Sequence, residues 1–203
     1  MVEANAQEIP LVVGLVPAAG ASRRMGQDKR LLPYRGATVL EITVRSLEQG
    51  GISPVVVILE PDSPCRRLEG LREVIIAVNP DPARGMLSSI REGLGRVPAQ
   101  ALAAAVLPGD HPFVPPTVNS SLRQAFLYRQ PPLLSPRYGQ RRGHPLFIHR
   151  DLFEEAARCD DRIGLRQLVT LHEPELVEVP FADPRAEDDL DRPEDLARLS
   201  REE

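Results

Sequence analysis

Between Gly20 and Lys29 the chain sets two glycines, Gly20 and Gly26, a hydroxyl at Ser22, the adjacent arginines Arg23 and Arg24, and a lysine. Glycine lets a backbone come close to a bulky anion, and free N–H groups there can point at phosphate oxygens. Arginine offers phosphate a planar fork and lysine a compact charge. Together these types suit a triphosphate cradle, although a charged glycine loop after a strand also serves plain solvation. Much further along, Asp110 stands in Pro108-Gly109-Asp110-His111-Pro112. A carboxylate fixed between Gly and Pro at a strand end is placed to hold Mg2+, which takes one or two carboxylates plus phosphate oxygens. An aspartate in such a turn is also an ordinary turn former.

Two other phosphate loops are excluded by spacing. The P-loop has four residues between its glycines and then Gly-Lys-Ser/Thr. Here five residues separate Gly20 from Gly26, and Gln27 follows. The dinucleotide fingerprint G-x-G-x-x-G is not met by Gly14, Gly20 and Gly26 either.

The elements that must carry these residues are legible as apolar runs. Leu11 to Val16, Val55 to Leu59, Val74 to Val78 and Ala101 to Leu107 read as short buried strands. Thr38 caps a helix with Leu40, Val44 and Leu47 on one face, stopped by Gly50 and Gly51. Ser88 or Ser89 marks the start of a second helix, with Ile90 and Leu94 inward, and Thr117 to Arg129 is a third, with Val118, Leu122 and Phe126 inward. Pro131 to Pro136 reads as a proline-rich link to a basic segment holding Arg137, Arg141 and Arg142, a solvated turn or a clamp for an anion. Leu146 to Ile148 is a short strand, Asp151 to Ala157 a helix, and Leu176 to Phe181 a last strand. Strand, helix, strand in series predicts parallel pairing. The expected fold is α/β, a mostly parallel sheet with helices on both faces in three layers, and open sheets of this kind bind ligands at their carboxyl edge.

Composition narrows the class. The chain of 203 residues is 42% hydrophobic and 27% charged, as ordinary globular domains are, with 21 prolines and no tryptophan. A net charge of −4 argues against bulk nucleic-acid binding. Cys65 and Cys159 form no C-x-x-C and suit a reduced compartment. Residues 1–10 show no signal-peptide pattern, and no apolar run approaches a membrane span, so a cytoplasmic protein is expected. One domain is expected, with a tail at 1–10, a nucleotide-binding half at 11–98 and an acceptor- and metal-binding half at 99–203. Oligomeric state is not readable.

The spelling of the loop is more specific than its chemistry. Ala18, Ala19, Gly20, Ser22, Arg24, Met25, Gly26 and Lys29 fill every defined position of A-A-G-x-S-x-R-M-G-x-x-K. That pattern resembles the nucleotidyltransferases of the molybdenum cofactor cytidylyltransferase-like family. The resemblance continues in order through Gly85-Met86-x-Ser88-Ser89, Gly109-Asp110-x-Pro112, Gly143-His144-Pro145 and Asp189-x-Asp191-x-Pro193-Glu194-Asp195, from Val16 to Leu196. It implies that the loop wraps a nucleoside triphosphate, with Arg24 and Lys29 neutralising phosphates. It implies that Asn79, Gly85, Ser88 and Ser89 line the base and ribose side, and that Gly143 and His144 lie beside the acceptor. His111 stands next to that contact where the family usually carries Gln. Asp110 and Asp189, 79 residues apart, would share one Mg2+. Three positions depart from the pattern: His111, Arg192 in place of a threonine, and Gly164, displaced from the family's Gly-Ala-Arg helix start.

The implied reaction is attack by an acceptor phosphate on the α-phosphorus of the triphosphate, with loss of pyrophosphate and without a side-chain nucleophile. The implied substrates are CTP and a molybdopterin-type acceptor, with a recipient molybdoenzyme as a further partner. Ala19 favours the cytidylyl over the guanylyl relatives, which usually carry Gly-Gly there. The rival readings are a sugar-phosphate or guanylyl transferase on the same cradle, and a non-catalytic chaperone that carries the cofactor.

Overall fold

The computed structural model describes residues 11–20 and 28–182. Ser22, Arg24, Asp189 and Asp191 therefore lie outside the described residues.

The strands are β1 (Leu11–Pro17), the two-residue pair β2 (Pro33–Tyr34) and β3 (Ala37–Thr38), β4 (Val55–Leu59), β5 (Ile75–Val78), β6 (Ala101–Val106), β7 (Leu133–Tyr138), β8 (Arg141–Arg142), β9 (Leu146–His149) and β10 (Leu176–Phe181). The helices are α1 (Val39–Gln49), α2 (Met86–Leu94), α3 (Pro116–Arg129), α4 (Phe153–Arg158) and α5 (Leu165–Leu171). The main sheet runs β10-β7-β9-β6-β1-β4-β5, with β8 beside β7. β6, β1, β4 and β5 are parallel neighbours, as are β7 and β10, while β9 runs antiparallel to both β6 and β7.

Alternation along the strands divides the core in two. Val12, Val16, Val55, Val57 and Leu59 face α1 and α3, meeting Leu40, Val44, Leu122 and Phe126. Val13, Leu15, Val56 and Ile58 face α2, α4 and α5, meeting Leu87, Ile90, Ala156 and Leu168. Period-two strands buried on both faces read as continuous valine and isoleucine runs, which is how the sequence spells them. The three-layer arrangement with a mostly parallel sheet is the expected one. Helix α1 starts on a full capping box: the Glu41 N–H donates to the Thr38 hydroxyl at 3.3 Å, and the Thr38 N–H donates to the Glu41 carboxylate at 2.9 Å.

Two local expectations are corrected. The supposed proline-rich link is β7, which begins at Leu133. Its one proline, Pro136, is tolerated because β7 pairs only briefly with β9, through Leu133 and Leu134. Pro136 lies beyond that pairing, where β7 faces β10 in register with Val179. Nor do Ser88 and Ser89 cap α2. The N-cap is Gly85, at φ 101°, a conformation that side-chain-bearing residues rarely adopt. The serines lie inside the first turn and are buried.

One packed polar cluster predicts a pH effect. His172, at the end of α5, meets Glu155 of α4 at 3.0 Å and Glu175 at 3.2 Å. The hydrogen bond to Glu155 raises the imidazole above its ordinary value of 6.5; slight burial opposes this, and Glu175 adds to the rise. A folded-state value above the unfolded one means the contact stabilises fully below about pH 6.5 and is lost as pH rises through the folded value. Hydrogen exchange of the α5 amides, corrected for intrinsic rate, should show protection falling as pH rises above about 6.5. His172→Gln should abolish that dependence, and an unchanged profile in the variant would remove His172 as its source.

Candidate active site

The topology brings distant segments to one edge. The carboxyl ends of β1, β4, β5 and β6 lead into Ala18–Gly20, Glu60, Asn79 and Leu107–His111. Because β9 runs backwards, with Leu146 paired to Val106, the residues that precede it, Gly143 and His144, arrive at the same edge. Ligands of open α/β sheets bind there.

Two cavities open on this edge. The first, about 620 Å3, is lined by Ala18, Ala19, Gly20, Lys29, Ser89 and Asp110 among others. Its two opposing loops touch: a Cβ on Gly109 would sit 2.9 Å from the Ala18 methyl, so glycine is needed for the β6 loop to lie against the β1 loop. The second, about 630 Å3, is lined by Ser135, Gly143, His144, Asp161 and Arg166 with apolar residues between them. Met86 lines both cavities and is 54% exposed.

Asp110 is the charged centre of the first cavity. Its carboxylate forms an ion pair with the Lys29 ammonium and lies 3.1 Å from Nδ1 of His111. Burial alone would raise this carboxyl; the contacts of His111 and then Lys29 outweigh it and hold it well below the usual carboxylate range. His111 is itself buried, edge-on to the His144 ring with centroids 4.9 Å apart. The two histidines thus join the Asp110 loop to the second cavity.

Asn79 and Ser88 are not brought to the cavity. The Asn79 amide donates to Ser88 at 2.8 Å and to Ser89 at 2.9 Å, and its carbonyl accepts from the Asp81 N–H. The three buried side chains lock the end of β5 to the first turn of α2, and of the three only Ser89 also lines the cavity. The basic segment is likewise spent on internal pairs. Arg137 pairs with Glu178, and Arg142 with Glu178 and Glu173. An anion clamp built from those two arginines would have to break these pairs.

Residues 14–177 match the family model for the MobA-like NTP transferase domain. The chain belongs to the MobA-like NTP transferase family. It is 31% identical over 210 residues to the nicotine blue oxidoreductase of Paenarthrobacter nicotinovorans, covering 95% of this chain and 98% of the relative. It is 25% identical over 184 residues to the molybdenum cofactor cytidylyltransferase of Escherichia coli K12, covering 90% and 92%. Among solved structures, Rv0371c of Mycobacterium tuberculosis H37Rv superposes with a TM-score of 0.82 at 29% identity, covering 94% of this chain and 98% of that one. A manganese complex of the same protein superposes at 0.77, covering 93% and 97%.

One site residue of this MobA-like transferase chain was not singled out from sequence. Arg30, 6% exposed, follows Lys29 into the fold. It donates to both oxygens of Glu60 at 2.7 Å, to Asp28 through Nε at 2.8 Å, and to the Ala18 carbonyl. Burial opposes its charge, and Glu60 and then Asp28 outweigh it, so the guanidinium stays cationic. It ties the end of β1 to the end of β4. The available signal was a bare acid, Glu60, at the end of a buried strand, which needs a partner.

The donor set bears on a metal. Among the described residues no group of three or more His, Cys, Asp or Glu side chains converges as a ready-made metal site. Among the described residues lining the first cavity, the carboxylate is that of Asp110, and it already draws a cation, the Lys29 ammonium. Two cations, Lys29 and Arg30, face three carboxylates, Asp28, Glu60 and Asp110, so the described groups do not by themselves balance a polyphosphate. One carboxylate plus phosphate oxygens is a set that fits Mg2+ or Mn2+.

Proposed function

We propose that this protein transfers a nucleoside monophosphate, CMP from CTP, to a phosphate-bearing molybdopterin-type acceptor and releases pyrophosphate. The observation that carries this reading is Lys29 and Asp110 meeting beside Ala18–Gly20 in one cavity, with a second cavity across Met86. In this reading residues 11–98 form the nucleotide half, and 99–203 the acceptor and metal half. Lys29, with Arg24 from outside the described residues, holds the leaving phosphates. Ala19, Gly20 and Ser22 present backbone and hydroxyl donors, Ala18 lines the cavity while its own N–H is given to the Ile58 carbonyl, and Gly85 and Ser89 border the ribose side. Asn79 and Ser88 act one step behind, by fixing the start of α2. Gly143, His144 and His111 border the acceptor. Asp110, with Asp189, would hold Mg2+, which when bound offsets charge between the phosphates. An acceptor phosphomonoester is already largely ionised near neutral pH, so these residues position and stabilise rather than attack. The reaction is proposed to run in the cytoplasm, and no described helix is long and apolar enough to cross a membrane.

The test is pyrophosphate release from each of the four nucleotides with molybdopterin cofactor as acceptor. CTP should be used in preference to GTP by about tenfold, the discrimination that a methyl-sized difference such as Ala19 supplies. Faster turnover of GTP would move the chain to the guanylyl class.

The nicotine blue oxidoreductase relative, matched over nearly its whole length, favours a second reading: an oxidoreductase acting on nicotine blue or a compound like it. Absence of pyrophosphate release, together with oxidation of a nicotinamide dinucleotide in the presence of nicotine blue, would establish it. The missing G-x-G-x-x-G and the Lys29–Asp110 pair favour the transferase.

A further inference from the structure

Lys29 and Asp110 are each implied to act on a different partner, the lysine on phosphate and the aspartate on a metal ion. In the folded chain they act on each other. The ammonium covers Oδ2, and His111 lies against Oδ1 at 3.1 Å, so both oxygens of the carboxylate are engaged. Both side chains of the ion pair are about one-fifth exposed, at 20% and 22%. Charges there interact far more strongly than in bulk water.

The backbone at Lys29 is fixed. Asp28 caps the turn Lys29–Leu31, and the next residue, Arg30, is anchored to Glu60 and Ala18. Only the four-carbon stem of Lys29 is left to swing, and it borders the cavity that holds Gly20.

We propose that Lys29 is a built-in competitor for the cation position on Asp110, and that it gives up this position most readily when phosphates are present to receive its ammonium. This rests on reading the first cavity as the nucleotide site, and it adds an order of events. A divalent ion alone must expel Lys29 from Asp110 without a phosphate to receive the displaced charge. A divalent ion arriving on a triphosphate supplies that receiver. The empty protein therefore discriminates against free divalent cations and admits the cation and the nucleotide together. Such an exchange conserves charge locally: one cation leaves the carboxylate as another arrives.

The sign of the resulting prediction is unusual, because removing a residue of the site should improve binding of one of its ligands. Mn2+ binding to the full chain without nucleotide is measured by the loss of the free-ion paramagnetic resonance signal. Lys29→Met should bind Mn2+ at least tenfold more tightly than wild type, and Lys29→Gln should do the same as a second, more polar variant. Lys29→Arg keeps the charge and should stay near wild type. Adding Asp110→Asn to Lys29→Met should erase the gain. Circular dichroism and thermal unfolding establish that each variant is folded. Equal or weaker Mn2+ binding by folded Lys29→Met and Lys29→Gln overturns the proposal, as does a gain that survives Asp110→Asn or appears equally in Lys29→Arg. The readout does not involve turnover. A gain in Mn2+ affinity without pyrophosphate release from any nucleotide would sink the transferase reading and leave this inference standing; turnover without the gain would do the reverse.

Discussion

Asp110→Asn should lower pyrophosphate release by about a hundredfold or more, the usual cost of removing a preorganised charge from a phosphoryl-transfer site. The substitution keeps the shape of the side chain and removes its charge. The Pro108–Pro112 loop should hold, because the Gly109 N–H still donates to the Pro17 carbonyl at 3.1 Å and Gly109 still packs on Ala18. Two carboxylates meant to share one ion would repel without it, and relieving that repulsion would leave stability equal or slightly improved. Among the described residues, however, the charged neighbour of Asp110 is Lys29, an attraction. A modest loss, about 1 kcal/mol for a partly exposed pair, is therefore the better expectation. The carboxyl is held well below its ordinary value of 3.8, so the wild-type rate should show no limb from Asp110 above about pH 4. Stopped-flow or coupled pyrophosphate assays on the purified variant read the effect directly. Activity within severalfold of wild type would remove Asp110 from the mechanism.

Arg30→Ala is expected to be the most damaging single change to stability at this edge. It strands Asp28 and Glu60, whose side chains are 21% and 25% exposed, and it removes the donor to the Ala18 carbonyl. Breaking one side of a buried pair costs about 3–5 kcal/mol, and partial exposure of the two acids places this case near 3. For a chain of this size that is a fall in melting temperature of about 6–12 °C. Arg30→Lys keeps the charge and loses the fork, and should fall between the two. The pH dependence has a defined sign. Burial alone would raise Glu60, but Arg30 holds it below its ordinary value of 4.5. Its contribution is present above about pH 4.5 and disappears as pH falls through the folded value. The gap between wild type and variant in thermal melts should narrow on acidification below that pH. A gap that is constant from pH 7 to pH 4 would place the loss elsewhere.

The layered α/β fold was legible because its strands are apolar runs and its first helix carries its own cap at Thr38. The grouping of Lys29, Asp110, Gly143 and His144 at one edge required two further facts. One was parallel pairing, which strand-helix-strand order supplied. The other was the reversal of β9, which local pattern does not encode. β7 was missed because its proline speaks against a central strand, whereas its actual pairing with β9 is brief. Ser88 and Ser89 looked like caps because serine usually is one; a glycine at φ 101° starts the helix instead, and the hydroxyls turn inward to Asn79. Arg30 was invisible because a buried arginine is recognised by its partners, and Glu60 lies 30 residues away.

Met86 lines both cavities with one flexible thioether side chain. In the proposed transfer the two substrates enter separately but leave joined, as one dinucleotide lying across that residue. The joined molecule binds both cavities at once, and the second half binds at the high effective concentration set by the first. It should therefore be retained longer than either substrate, and departure rather than bond formation would set the turnover rate. The same geometry makes a covalently linked nucleotide–acceptor mimic the natural scaffold for an inhibitor, its linker passing over Met86.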